Sequence, residues 1–192
     1  MPVRVATTMD AAAIQRVRVD SWRAGYAGVV PAPVLASMST EVPEHLTRRL
    51  AEPPPSCALY VDELDGDIRG FVNCGPYRHD QDATRRDPSQ GGEIYAIYVA
   101  PTHWGGGAGQ ALMTQALTHL EHENLNPVRL WVLADNPRAR RFYERGGFTL
   151  DGAASPYIFD DGTTLTEVRY RRDQPLSNHW ELVQDSCKVQ EP

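Results

Sequence analysis

The chain has 192 residues, of which 41% are hydrophobic and 23% charged, with a formal net charge of −6; this fits one folded domain and excludes intrinsic disorder. The acidic balance, with basic runs no longer than pairs such as Arg48-Arg49, Arg85-Arg86 and Arg171-Arg172, excludes a nucleic-acid partner. Three cysteines exclude a disulfide framework, and without a signal-like N-terminus or a transmembrane-length apolar run the sequence reads as cytoplasmic, with no membrane partner.

Residues 3–6 read as a first strand. Thr7, Thr8 and Asp10 are capping residues for an Ala-rich helix through Ile14, Val17 and Val19 to about Trp22, broken by Gly25 and Gly28. A second helical stretch, with Leu35, Met38, Leu46 and Leu50, is interrupted near Pro43. Residues 57–61 read as a strand, Asp65-Gly66 as a hairpin turn and residues 68–74 as the return strand. Residues 77–92 are polar and read as a mobile loop. Residues 93–99 form the clearest strand, β-branched and aromatic, stopped by Pro101.

A glycine-rich turn then leads into a helix through Ala111, Leu112, Ala116 and Leu120. Residues 128–133 read as a strand covered on both faces, residues 137–145 as a short helix ended by Gly146-Gly147, and residues 148–170 as two strands joined at Asp160-Asp161-Gly162. The order gives a mixed α/β plan with one βαβ unit in its middle. One domain over residues 1–172 and a tail over 173–192 without a legible role complete the reading.

The turn Trp104-Gly105-Gly106-Gly107-Ala108-Gly109-Gln110 joins the best strand to a helix. Helix-first amides lack partners, carry partial positive charge, and are open to an anion where glycines flank them. A phosphate is the natural guest. No Lys-Ser/Thr follows, so a nucleotide-triphosphate loop does not match, and neither register of the glycines meets the dinucleotide fingerprint. A flexible turn without ligand is the plain alternative.

This segment resembles the cofactor loop of the GNAT acetyltransferases, Arg/Gln-x-x-Gly-x-Gly/Ala, with Trp104 in place of the usual Arg or Gln. Downstream, Asn136-Pro137-Arg138-Ala139-Arg140-Arg141-Phe142-Tyr143-Glu144-Arg145-Gly146-Gly147-Phe148 is similar to the family's Asn-x-x-Ala-x-x-x-Tyr-x-x-x-Gly-Phe segment. Residues 21–26 also look like the first-helix region of many bacterial members.

The resemblance implies a mostly antiparallel sheet with a central parallel βαβ unit and splayed strands. It implies acetyl-CoA as donor, no metal, and transfer to a primary amine on a small molecule or protein by direct attack in a ternary complex. It implies that amides of Gly105, Gly106, Gly107, Ala108, Gly109 and Gln110 hold the pyrophosphate, and that the backbone of Ile97, Tyr98 and Val99 pairs with the pantetheine arm. A homodimer is compatible with it, and a non-catalytic acyl-CoA-binding sensor is the rival reading.

Tyr143 is the expected acid for the leaving thiolate, with core packing behind Phe148 as the bland alternative. Asn136 stands where an N-cap belongs, seven positions before Tyr143 on the same helix side, so capping and cofactor contact are both open. Glu93 is the expected base, through water, against the alternative of a solvated strand start; His79 and His103 are fallbacks. Trp22 and Tyr26 are expected to line the acceptor pocket. His119 and His122 read as a solvated helix face rather than a metal site.

Overall fold

The computed structural model describes residues 3–79 and 82–173. Beyond Asp173 the expected tail, with Cys187, lies outside the described residues, as does the His79 side chain. Seven strands form one sheet: β1 (Val3–Val5), β2 (Ala58–Leu64), β3 (Asp67–His79), β4 (Asp82–Val99), β5 (Val128–Leu133), β6 (Thr149–Ile158) and β7 (Thr164–Arg172). Their order is β1-β2-β3-β4-β5-β7-β6, and every pair is antiparallel except β4–β5. The helices are α1 (Ala11–Gly25), α2 (Ala32–Ser37), α3 (Glu44–Ala51), α4 (Ala108–His122) and α5 (Pro137–Arg145).

The sheet is covered on both faces, and strand alternation sorts the core accordingly. On one face Val72, Ile94 and Leu130 pack against Leu112, Met113, Ala116 and Leu120 of α4. On the other, Val61 and Phe71 pack against Ile14 and Val17 of α1, with Leu46 and Leu50 of α3 at the margin. Leu112 and Leu120 are fully buried, and each such side chain contributes about 1.5–3 kcal/mol by leaving water. This double cover places the β4–α4–β5 crossover over the middle of the sheet.

The segment expected as a mobile loop is instead a hairpin extension. β3 and β4 continue past the core through Tyr77↔Asp87, Arg78↔Arg86 and His79↔Asp82, with register shifts on the way. It lacks apolar alternation because its residues from Arg85 to Gln90 are largely exposed, and ladder hydrogen bonds rather than burial hold it.

His119 also departs from expectation. It is half-buried, with its ring nitrogens 3.3 Å from the Tyr60 hydroxyl and 3.1 Å from the Ser56 carbonyl oxygen, whereas His122 is exposed. Cys74 is wholly buried, and loss of hydration pushes its thiol up to about 12.

Candidate active site

β4 and β5 are paired only at Gly92↔Val128 and Glu93↔Arg129. Beyond that point they separate, and a cleft of about 630 Å³ opens, lined by residues 94–99 on one side and 131–133 on the other. The Ala100 amide donates to the Arg69 carbonyl. By antiparallel alternation, Tyr98 and Ala96 then bond to β3, while Ile97 and Val99 turn their amides and carbonyls into the gap. Of the three residues expected to offer main-chain contact, Ile97 and Val99 therefore turn their backbone toward the gap and Tyr98 does not. Tyr98 faces the cleft through its ring, and its hydroxyl accepts from Trp22 Nε1 at 2.8 Å.

The Val99 carbonyl is already held by two side chains, Ser21 Oγ at 2.9 Å and Trp104 Nε1 at 2.7 Å. Trp104 is therefore a fixture of the strand end. Its ring also lies under the Arg138 guanidinium, 3.5 Å from the ring centroid, a cation–π stack that attaches α5 to the glycine turn.

In that turn Gly105 (φ 79°) and Gly107 (φ 83°) occupy the left-handed region, which costs other residues about 1–2 kcal/mol. Gly107 is the N-cap of α4, and no side chain caps the helix. The amides of Gly105, Gly107, Ala108, Gly109 and Gln110 have no hydrogen-bond partner among the described residues. Gly106 differs from expectation, because its amide turns back to the His103 carbonyl at 3.4 Å. Of the turn, Gly105, Gly107, Gly109 and Gln110 line the cleft, and Ala108 is buried beside it.

Asn136 caps α5, its Oδ1 accepting from the Ala139 amide at 3.0 Å, with Pro137 next. It also lines the cleft beside Tyr26, and the expected capping role is the one its side chain fills. Tyr143 is buried, lines the cleft and packs edge-on against Phe142 and Phe148. Burial raises its phenol above the ordinary range, and Tyr98 and Glu167 raise it further.

Trp22 and Tyr26 both line the cleft, with ring centroids 4.5 Å apart, and Tyr157 completes an aromatic wall 6.0 Å from Trp22. Their spacing of four on α1 puts them on one helix side. His103 lines the cleft beside the glycine turn.

Glu93 does not line the cleft. It is 1% exposed, and its carboxylate accepts from the Arg78 guanidinium at 2.5 Å and the Arg78 amide at 2.9 Å. The physical reason is the bulge near Cys74 that pairs Glu93 with Gly75 and brings it under Arg78.

Among the described residues that line the cleft, the only carboxylate is Glu167 of β7, opposite Leu133 of β5. Burial lifts it above the usual carboxylate range; Arg78 pulls it back and Glu93 pushes it up. Sequence reading missed Glu167, Arg78 and Tyr157, because only the three-dimensional pairing of the strands brings them to the gap: β5, β6 and β7 for Glu167 and Tyr157, and the shifted β3–β4 ladder for Arg78. Among the described residues no group of three or more His, Cys, Asp or Glu side chains could hold a metal, and no helix is long and apolar enough to cross a membrane.

The model of the acetyltransferase (GNAT) family matches residues 20–148. The chain is 30% identical over 135 residues to the uncharacterised N-acetyltransferase YuaI of Bacillus subtilis, covering 70% of this chain and 73% of that one. It is 35% identical over 141 residues to the mycothiol acetyltransferase of Frankia casuarinae, covering 72% of this chain but 35% of that protein's length. Among solved structures, the PaiA N-acetyltransferase of Thermoplasma acidophilum, in complex with coenzyme A, superposes with a TM-score of 0.67 at 17% identity, over 90% of this chain and 98% of that one. With its parted β4 and β5, its open amides ahead of α4 and these likenesses, the chain belongs to the GNAT acetyltransferase family.

Proposed function

We propose that this acetyltransferase moves the acetyl group of acetyl-CoA to a primary amine, with donor and acceptor held together in the β4–β5 cleft. The observation that carries the reading is that the amides of Gly105, Gly107, Ala108, Gly109 and Gln110, at the mouth of α4, lack partners among the described residues, beside a strand edge that Ile97 and Val99 leave open. A pyrophosphate fits those amides, and an amide-bearing arm fits that edge. The complex of PaiA with coenzyme A supports the same donor here.

When bound, acetyl-CoA supplies an activated thioester. The chain supplies the proton handling. Glu167 is the nearest fit to a base, since it is the carboxylate that reaches the cleft and burial has lifted its affinity for a proton. It accepts a proton from the incoming ammonium and leaves a neutral nitrogen lone pair. Glu93, expected as that base, holds Arg78 in place and raises the proton affinity of Glu167 through its charge. Tyr143, kept protonated by its surroundings, donates its hydroxyl proton toward the departing sulfur.

The test compares CoA with ATP in thermal melting, then follows thiol release from acetyl-CoA with a panel of primary amines. Stabilisation by CoA alone and amine-dependent thiol release are expected. Equal stabilisation by ATP would refute the donor assignment. Donor binding without turnover of any amine would favour the sensor reading.

A further inference from the structure

The charges lining the cleft are unevenly distributed. Among the described lining residues Glu167 is the single acid, whereas Arg18, Arg78, Arg138 and Arg145 are basic. Arg78 is occupied by Glu93. Arg138 stacks on Trp104 beside the glycine turn, and Arg145 ends the same helix. That leaves Arg18 of α1. It is half-buried, lines the cleft and forms no hydrogen bond or salt bridge among the described residues. It lies one helical turn before Trp22 and two before Tyr26, on the side of α1 that faces the cleft. It acts electrostatically on the Tyr98 and Tyr157 hydroxyls, and Glu167 acts on Tyr157 with opposite sign, so both charges lie within reach of that hydroxyl.

A polycationic acceptor needs several carboxylates around it, and this cleft offers one. A simple apolar amine seated against the half-buried Arg18 would take water from its guanidinium and give no partner in return, which is costly. We propose, resting on the acetyltransferase reading, that the acceptor is an amine that also carries a carboxylate, held by Arg18 while Glu167 receives the ammonium and the Trp22–Tyr26–Tyr157 wall covers the apolar body between them. The planar guanidinium fork matches a carboxylate with two parallel hydrogen bonds.

The test uses leucine, phenylalanine, 4-aminobutyrate and 6-aminohexanoate, each against its carboxamide, with spermidine as the polycation. Two readouts are taken: the melting shift of CoA-saturated protein on adding each acceptor, and kcat/KM from thiol release. At least one acid is expected to exceed its amide by about ten- to a hundredfold in kcat/KM, the range of a charge-assisted hydrogen bond, and to stabilise where the amide does not. R18Q brings that ratio near one, and R18K keeps most of it. Retention of the CoA-induced melting shift in R18Q separates lost recognition from lost folding.

Equal treatment of every acid and its amide, preference for spermidine, or an unchanged ratio in R18Q overturns the inference while CoA binding stands. Wild-type protein that CoA fails to stabilise sinks the acetyltransferase reading, and this inference with it.

Discussion

Trp104 stands where the family's loop carries Arg or Gln, and the structure gives its indole a measurable task. It donates to the Val99 carbonyl at 2.7 Å, shares that oxygen with Ser21 Oγ at 2.9 Å, and lies 3.5 Å beneath Arg138. W104A removes a net hydrogen bond of about 1 kcal/mol, a stack on an exposed Arg of about 0.5–1 kcal/mol, and the packing of a half-buried ring of about 1–2 kcal/mol. The sum, about 3 kcal/mol, is divided between stability to urea and affinity for CoA by calorimetry. W104F keeps the ring and loses only the donor; because Ser21 still holds the carbonyl, its cost stays near 1 kcal/mol. S21A alone is equally mild. Together W104F and S21A strip the oxygen of both donors, and a buried bare carbonyl adds about 1–3 kcal/mol. The pair is therefore more costly than the sum of its members by at least about 1 kcal/mol. Strict additivity, or W104F as damaging as W104A, refutes the idea that the indole pins the strand end.

Three further outcomes are expected. Y143F lowers kcat by about 10²–10⁴-fold, the usual contribution of a positioned acid, and leaves CoA affinity by calorimetry unchanged. In the wild type, activity falls as pH drops through the raised proton affinity of Glu167; E167Q loses about 10²–10⁴-fold at neutral pH and regains part of it as pH rises toward the pKa of the acceptor amine, where the neutral form no longer needs a base. The Arg4 guanidinium holds Asp10 down to about 2 from 3.8. A depressed carboxylate stabilises the fold above its unfolded pKa and loses that contribution as pH falls through the folded one. With Arg4 39% exposed, R4Q costs about 1–2 kcal/mol near pH 7, a fall of roughly 2–8 °C in melting temperature that closes as pH approaches 2.

The parts legible in the sequence are those where a local rule and the tertiary structure agree. The alternating Asp65-Gly66 hairpin, the Asn136-Pro137 helix start and the apolar stripe of α4 each follow from chemistry within one element. The glycine turn was legible for the same reason, since the left-handed φ of Gly105 and Gly107 that shapes it is a local property. Glu93 and the 77–92 segment were misplaced because both depend on register. The bulge after Asn73 decides whether the Glu93 carboxylate points into the cleft or under Arg78, and no residue in the strand itself signals that choice. Glu167 lay hidden in a strand whose Thr, Glu, Val and Arg residues alternate without a strong apolar face, so its neighbour across β5 was needed to reveal it.

The open edge of β4 suits the strand-like arm of the proposed donor better than a compact guest. A parallel pair carried to the end of both strands would satisfy Ile97 and Val99 and leave no gap. Here the pairing stops after two residues, and α1 enters instead, meeting Val99 through Ser21 and Tyr98 through Trp22. The Val99 carbonyl is thereby satisfied from the protein side, while alternation leaves the Val99 amide and both main-chain groups of Ile97 facing the gap. A guest with an acceptor and a donor at strand spacing completes them; a compact phosphate does not. The glycine turn, one short 3₁₀ turn farther along the chain, offers the opposite chemistry, donors only. Two adjoining sites, one anion-seeking and one peptide-like, suit the proposed donor, a ligand with a phosphorylated head and an amide-bearing tail; in that proposal the tail runs along β4 and its far end lies past Val99 toward Tyr143 and Glu167.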